Sequence, residues 1–369
     1  MKKVLFLIHD LGQGGAEKVL VNLVNNMDKS KYDITVMSLF DVGENRQFLS
    51  EKVHYKYCFK HMIRGNSHLM KAFSGEFLHK MLIKNKYDIE IAYLEGPSTR
   101  VVSGCQNKDT KLITWLHFTP KSFSELACSF RSINETKKCY EKFDRVVTVS
   151  EEVKQAFLNT SKFNKDVSVI YNTNESVKIK RLGQERPKTC FSKEEFNIIC
   201  VGKLTSNKGF DRMIRIVEQL RNESKPVHLY LLGDGEEKQS LVEMAKKRGM
   251  ENYVTFLGFQ DNPYQYTKQA DLFVCSSHSE GFSTAATEAL ILGIPVCTVV
   301  VSGMKEMLGY HNEYGVVVEN DDESLFQGIN RLIEEPCVLE HYRKMASIRG
   351  EMFSTEKTVK SVEDMLDNI

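Results

Sequence analysis

Short apolar runs alternate along this chain with stretches in which apolar residues recur every three or four positions, the pattern of strands followed by amphipathic helices. Val4 to Ile8 is the first run, and Ala16, Val19, Leu20, Leu23, Val24 and Met27 follow it at helical spacing. Ile34 to Leu39, Ile89 to Tyr93, Leu112 to Trp115, Arg145 to Val149 and Val167 to Tyr171 continue the series as strands. Ser150 suits a helix N-cap, with Glu151 and Glu152 placed to complement the helix dipole. From Glu175 to Glu195 the pattern lapses into polar sequence containing Gly183 and Pro187, which marks a boundary. A second series then runs through Asn197 to Val201, Val227 to Leu232, Tyr253 to Leu257, Asp271 to Cys275, Pro295 to Val300 and Gly315 to Val318. The prediction is an α/β protein of two doubly wound, Rossmann-like domains facing across a cleft, with ligands at the carboxyl ends of the strands. The expected divisions are an N-terminal domain over 1–175, a linker over 176–195, a C-terminal domain over 196–350, and a helix within 351–369 that packs back on the first domain.

Composition narrows the classes. The 369 residues, 41% hydrophobic and 27% charged with 7 prolines, are those of an ordinary globular protein long enough for two cores. Fifty Lys and Arg against 49 Asp and Glu leave a net charge of +1, so no global field recruits nucleic acid. The longest apolar stretch, Ile294 to Val301, falls far short of the roughly 18 residues of a membrane span. The Met1-Lys2-Lys3 start mimics a signal peptide but meets His9-Asp10 after five apolar residues, and reads as a first buried strand. Nine cysteines without a Cys-x-x-Cys pair read as reduced thiols of a cytoplasmic protein.

Candidate chemistry gathers at the predicted strand ends. Gly12, Gly14 and Gly15 follow the first strand and open a helix whose amides and dipole can receive an anion, but Glu17 stands where a dinucleotide fingerprint needs its third glycine. Gly233-Asp234-Gly235 fails the same test at Lys238. Either loop alone is as readily a tight turn. Gly202-Lys203 to Lys208-Gly209 places two lysines above the second sheet, where they can hold a diphosphate, although the order is not that of a P-loop. Glu280-Gly281-Phe282-Ser283-Thr284-Ala285 leads into a helix that carries Glu288 about two turns along. This arrangement offers carboxylates to sugar hydroxyls and amides to phosphate.

In this order and spacing, Gly14 to Glu17, Gly202-Lys203 to Lys208-Gly209, Gly233-Asp234-Gly235, Leu257-Gly258-Phe259 to Asn262 and the Glu280/Glu288 pair are hard to obtain by chance. Carrying them over nearly its whole length, the chain resembles the family-4 glycosyltransferases of the GT-B fold, retaining enzymes of the kind found in bacterial capsule and cell-envelope polysaccharide synthesis. The resemblance implies that Lys203 and Lys208 bind the diphosphate of a nucleotide sugar, that Glu280 faces the donor sugar and Glu288 the ribose, and that Gly258, Phe259 and Asn262 lie at the base. Gly14, Gly15, Gly281, Phe282, Ser283, Thr284 and Ala285 complete the implied donor site, with His117, Glu280 and Lys208 as its catalytic group. Where the family commonly has arginine, Lys203 retains charge without bidentate geometry. His9 also ends a strand and is a weaker candidate than His117.

The expected activity is transfer of a hexose or N-acetylhexosamine, with retention by front-face attack, from a nucleotide-diphosphate sugar to a saccharide or lipid-linked acceptor. UDP is favoured over a guanine nucleotide by analogy. The chain has no Asp-x-Asp, the usual metal holder of other transferases, so transfer without metal or cofactor is expected. A sugar-nucleotide epimerase and a catalytically silent partner subunit are the alternatives. Residues 52–86 hold eight Lys or Arg against Glu76, interleaved with Tyr55, Tyr57, Phe59, Phe73 and Phe77. They form a local field for an anionic membrane surface on the inner face of the plasma membrane, or else a pair of helices with a solvated basic face.

Overall fold

The computed structural model describes residues 1–12, 14–62, 70–161 and 163–369. The chain divides into two compact units, one of Met1–Asn174 with Thr355–Ile369 and the other of Glu175–Ser354. Among the described residues no helix is long and apolar enough to cross a membrane, and all nine cysteines are free thiols.

The first unit is built on seven strands, β1 (Lys2–Ile8), β2 (Tyr32–Phe40), β3 (His54–Phe59), β4 (Ile89–Tyr93), β5 (Lys111–Leu116), β6 (Arg145–Thr148) and β7 (Val167–Val169). Every pairing is parallel and the order is β3-β2-β1-β4-β5-β6-β7. Helices cover the sheet, so β1 is buried from Val4 to Ile8 and reads as one apolar run. The strand order reverses at β1 and β4, whose carboxyl ends therefore open a crevice at the switch point. The chain returns to this unit at its end through the helix Thr355–Asp367, which buries Val359, Val362, Met365 and Leu366. There Tyr32 Oη donates to Asp367 Oδ1 at 2.6 Å, Lys2 Nζ to the Leu366 carbonyl at 2.7 Å, and the Asp28 amide to Glu363 Oε1 at 2.6 Å.

The second unit carries β8 (Phe196–Val201), β9 (Val227–Leu232), β10 (Val254–Gly258), β11 (Leu272–Cys275), β12 (Val296–Val299) and β13 (Val316–Val318). These too are all parallel, in the order β10-β9-β8-β11-β12-β13, with the switch between β8 and β11.

Two segments differ from the sequence expectation. β3 is an edge strand whose polar and aromatic residues alternate half-exposed, so no buried apolar run announces it. It is held to the sheet by its pairing with β2 and by the Tyr55 hydroxyl, 2.7 Å from Ser38 Oγ. The basic stretch is thus a strand, followed after residues outside the described set by the helix Gly75–Leu82. Residues 176–195, expected to be an irregular linker, open with the helix Ser176–Leu182. Ile179 is its one buried apolar residue, and Val177 and Leu182 beside it do not make a legible period.

Candidate active site

Three loops at the carboxyl ends of β8, β9 and β11 are sewn together in the second unit. Gly233 has φ 142°, and a Cβ there would stand 1.9 Å from the Gly202 carbonyl oxygen, so only glycine lets the two loops approach. The Leu204 amide then donates to Asp234 O, and the Glu237 amide to Leu204 O, both at 3.0 Å. Gly209, with φ 63°, starts the helix Phe210–Asn222; a Cβ at this position would lie 2.3 Å from Ser276 O. That contact places the turn Ser206–Lys208 against the loop after β11. Ser276 Oγ donates to Lys208 O at 2.9 Å, the His278 amide to Asn207 O at 2.8 Å, and Asn207 Nδ2 to Ser279 O at 2.9 Å.

On this base Lys208 and Glu280 meet. Lys208 Nζ lies 2.6 Å from Glu280 Oε1, and Ser277 Oγ donates to the same oxygen at 2.6 Å. The lysine side chain is 27% exposed and the glutamate 11%, so the pair is shielded from solvent yet reachable. Such charge-assisted bonds are short and strong. Lys203 is exposed and has no side-chain partner among the described residues, so the two lysines differ: one is held in place, the other free to move.

After Glu280 and Gly281, Phe282 is buried edge-on against Phe353, with ring centroids 5.8 Å apart. Ser283 caps the helix Thr284–Ile291 by accepting from the Ala286 amide at 3.3 Å. The amides of Thr284 and Ala285 fall in the first turn, where no intrahelical acceptor exists. Glu288 is 7% exposed and accepts from the Tyr264 hydroxyl at 3.2 Å. Beyond β10, Gly258 has φ 68° and open space around its α-carbon, while the ring of Phe259 is 58% exposed. Asn262 is committed elsewhere. Its amide donates at 3.0 Å to the Leu182 carbonyl and to Glu185 Oε2, closing the end of the helix Ser176–Leu182.

The first unit presents a different surface. Gly14 is the N-cap of the helix Gly15–Asn26, but a Cβ on it would lie 2.0 Å from Glu17 Oε2, because that carboxylate folds back over the helix start. Asp10 Oδ1 accepts from the Gly12 amide at 2.8 Å, and Asp10 Oδ2 lies 2.6 Å from His9 Nδ1. The glycine loop expected to receive an anion is therefore already lined by two carboxylates, which suits hydroxyl groups better than phosphate. Burial raises the Glu17 carboxyl above its ordinary value, and the hydrogen bond to His9 lowers that of Asp10.

His117 follows β5 directly, with its ring centroid 4.8 Å from that of Tyr93 and its Nε2 shielded and without a hydrogen-bond partner among the described residues. Burial pushes its pKa down to about 3, so the imidazole is neutral at physiological pH. Its backbone amide donates to Glu95 Oε2 at 3.0 Å. Burial lifts the Glu95 carboxyl to about 7, reinforced by the charge of Glu17. Glu95 lies between Leu94 at φ 121° and Gly96 at φ 91°, a bent, strained path off the end of β4.

Sequence reasoning missed Glu95, Tyr264, Ser277 and Arg212. Glu95 alone carries a readable signal, an acid two residues past a predicted strand. Arg212, almost wholly buried, is found only in three dimensions: it donates to Asn320 Oδ1 at 2.8 Å, lies 3.1 Å from His278 Nδ1, and pairs with Asp322 at 3.2 Å.

Two parallel, doubly wound units with ligand-ready loops at their strand ends define the GT-B class. Residues 13–173 match the Glycosyltransferase Family 4 model and residues 183–349 that of Glycosyl transferases group 1. The chain belongs to the family-4 glycosyltransferases of the GT-B fold. A Campylobacter jejuni protein named N-acetylgalactosamine-N,N'-diacetylbacillosaminyl-diphospho-undecaprenol 4-alpha-N-acetylgalactosaminyltransferase is 28% identical over 371 residues, 98% of each chain. The Escherichia coli O-antigen biosynthesis glycosyltransferase WclY is 33% identical over 168 residues, 42% of this chain and 43% of its own length. In three dimensions the Anabaena protein Alr3699/HepE, solved in complex with UDP, matches the full length of both chains with a TM-score of 0.78 at 20% identity.

The Glu95–His117 pair makes a prediction about stability. Glu95 titrates near 7 when folded against 4.5 unperturbed, so folding loses stability as pH rises through that interval. His117 titrates near 3 when folded against 6.5 unperturbed, so folding loses stability as pH falls through that one. Between 4.5 and 6.5 the two slopes oppose each other. Relative to the wild type, Glu95→Gln should gain stability with rising pH in that window, by up to about 1.4 kcal/mol per unit, and His117→Asn should lose it. Urea unfolding at several pH values measures both; variants that keep the wild-type slope would contradict the buried pair.

Proposed function

We propose that the protein transfers a hexose or N-acetylhexosamine from UDP to a saccharide or lipid-linked acceptor during cell-surface polysaccharide synthesis, with retention at the anomeric carbon. The observation that carries this reading is the Lys208–Glu280–Ser277 cluster beside the open helix start at Thr284. Breaking the bond between a sugar and a diphosphate leaves charge on the departing oxygens, and donors already in place stabilise it without reorganisation. Lys208, Lys203 and the amides of Thr284 and Ala285 fill that role, which elsewhere falls to a metal ion. When a diphosphate takes up Lys208, Glu280 is released toward the sugar hydroxyls. The acceptor hydroxyl attacks the anomeric carbon from the departing side, and its proton passes to the leaving phosphate oxygen. Neutral His117 is a poor base because burial lowers its pKa, and its shielded Nε2 has to be uncovered before it orients a hydroxyl. Asp10 and Glu17 supply acceptors for further sugar hydroxyls, and Phe259 a face for the base. The UDP bound to the Anabaena protein and the undecaprenol-linked substrate in the Campylobacter relative's name support this choice of donor and acceptor.

Each charge-assisted contact to a diphosphate is worth about 1.5 to 3 kcal/mol, so Lys208→Ala should weaken UDP binding roughly tenfold or more in calorimetry. Glu280→Gln should cut turnover far more than UDP affinity, since free UDP lacks the sugar. Equal losses in both would move Glu280 out of the sugar site. A product from donor alone would favour the epimerase, and UDP binding without turnover the silent subunit.

A chelator added to the transfer assay should leave the rate within about twofold. Restoration of a lost rate by magnesium or manganese would assign the diphosphate to a metal instead.

Membrane association belongs to the same proposal. Lys56, Lys60, Lys71, Lys80, Lys84 and Lys86 flank the exposed aromatics Tyr57, Phe59, Phe73 and Phe77; Arg64 lies outside the described residues. Each basic residue near an anionic surface contributes about 1 kcal/mol. The wild type should float with anionic liposomes at low salt, and the combined Lys56, Lys60, Lys71 and Lys80→Gln variant should not. Equal behaviour of the two would make the stretch an ordinary solvated face.

A further inference from the structure

At the amino end of β4, away from the strand ends that carry the proposed chemistry, Glu90 is buried to 2% exposure. The described residues give its carboxylate one hydrogen-bond partner, His79 Nε2 on the helix Gly75–Leu82, at 2.8 Å. A carboxylate has about four lone-pair sites, and a buried ion pair offsets its desolvation only when the remaining sites are also satisfied. Glu90 is therefore under-served as an ordinary salt bridge. Cys105, buried just beyond the helix Pro97–Val102, brings a third donor: one ligand atom each from His79, Glu90 and Cys105 all lie within 4.8 Å of one another. A cavity of about 670 Å³ opens onto all three residues.

We propose that His79, Glu90 and Cys105 form a binding site for a divalent transition-metal ion of the zinc type. Imidazole nitrogen, thiolate sulfur and carboxylate oxygen are the donors such an ion takes. Tetrahedral coordination with bonds of about 2.0 Å to nitrogen and oxygen and about 2.3 Å to sulfur sets the donors roughly 3.3 to 3.6 Å apart. The pair at 2.8 Å opens slightly and the sulfur closes in to reach that spacing. Charge also balances. As ligands, the Glu90 carboxylate and the Cys105 thiolate match the ion's two positive charges and His79 binds as neutral imidazole, so the buried complex is neutral. Protons displaced from the ligands leave to solvent, and a water from the cavity takes the fourth position. Bound there, the ion clasps the helix Gly75–Leu82 to the sheet and to the segment after the helix Pro97–Val102.

Cobalt(II) is the probe, because a cobalt–thiolate bond has its own near-ultraviolet charge-transfer absorption and tetrahedral cobalt has intense visible bands. The full chain is used with the exposed Cys128, Cys190 and Cys337 replaced by serine. One equivalent of cobalt should produce both signals, and one equivalent of zinc should abolish them. Cys105→Ser should remove the charge-transfer band, and His79→Gln should weaken binding by more than an order of magnitude, with circular dichroism confirming the fold. Absence of a stoichiometric signal in the Cys105-containing protein overturns the site whatever the variants do, as does a band that survives Cys105→Ser. In either case the cluster is a buried ion pair with a neighbouring thiol.

Discussion

Glu280 holds the ammonium of Lys208 2.6 Å away, in a place where neither group is fully wet, and the loops of the second unit are arranged around that meeting. Each charge is tolerable there because the other is present. Neither would arrive without the backbone beneath: Gly209 lets the turn press on Ser276, and Gly233 lets its neighbour press on Gly202. The glycines therefore act through distance rather than through flexibility. Removing one would separate two loops whose carbonyls and amides now satisfy one another. The capped helix beginning at Thr284 then adds amide donors on a rigid element, where preorganised groups stabilise charge best.

The first unit reaches its character by the opposite means. Carboxylates and a shielded imidazole accumulate at its strand ends. Glu95 and His117 are each held in the uncharged direction by burial, one upward and one downward, so they sit together without a strong field.

Much of this was legible in the residues. Twelve strands announced themselves as apolar runs, the central ones because a strand covered on both faces must be apolar along its length. The exception, β3, is wet on one side and edges the sheet, so its alternating tyrosines and lysines read as a basic surface. That Lys208 and Glu280 follow separate strands was readable; that the two strands are neighbours and bring the pair together was not. Two partners were not legible either. Tyr264 meets Glu288 across 24 positions and Arg212 meets His278 across 66, distances at which one sequence carries no trace of contact. Asn262 was expected at the base, but its amide is spent on the end of a helix that the sequence did not reveal. The glycines after β1 suggested an anion site, and only the fold shows Glu17 already lying over Gly14.

The return of Thr355–Asp367 to the first unit bears on the order in which the protein is made. During synthesis the second unit leaves the ribosome whole, whereas the first stays one helix short until these residues emerge. Tyr32 and Asp28 wait for partners more than 330 positions downstream. Domains generally fold as units while the chain lengthens. Here the segment made first is therefore completed last, and until then the surface later covered by Val362 and Leu366 stands open to chaperones.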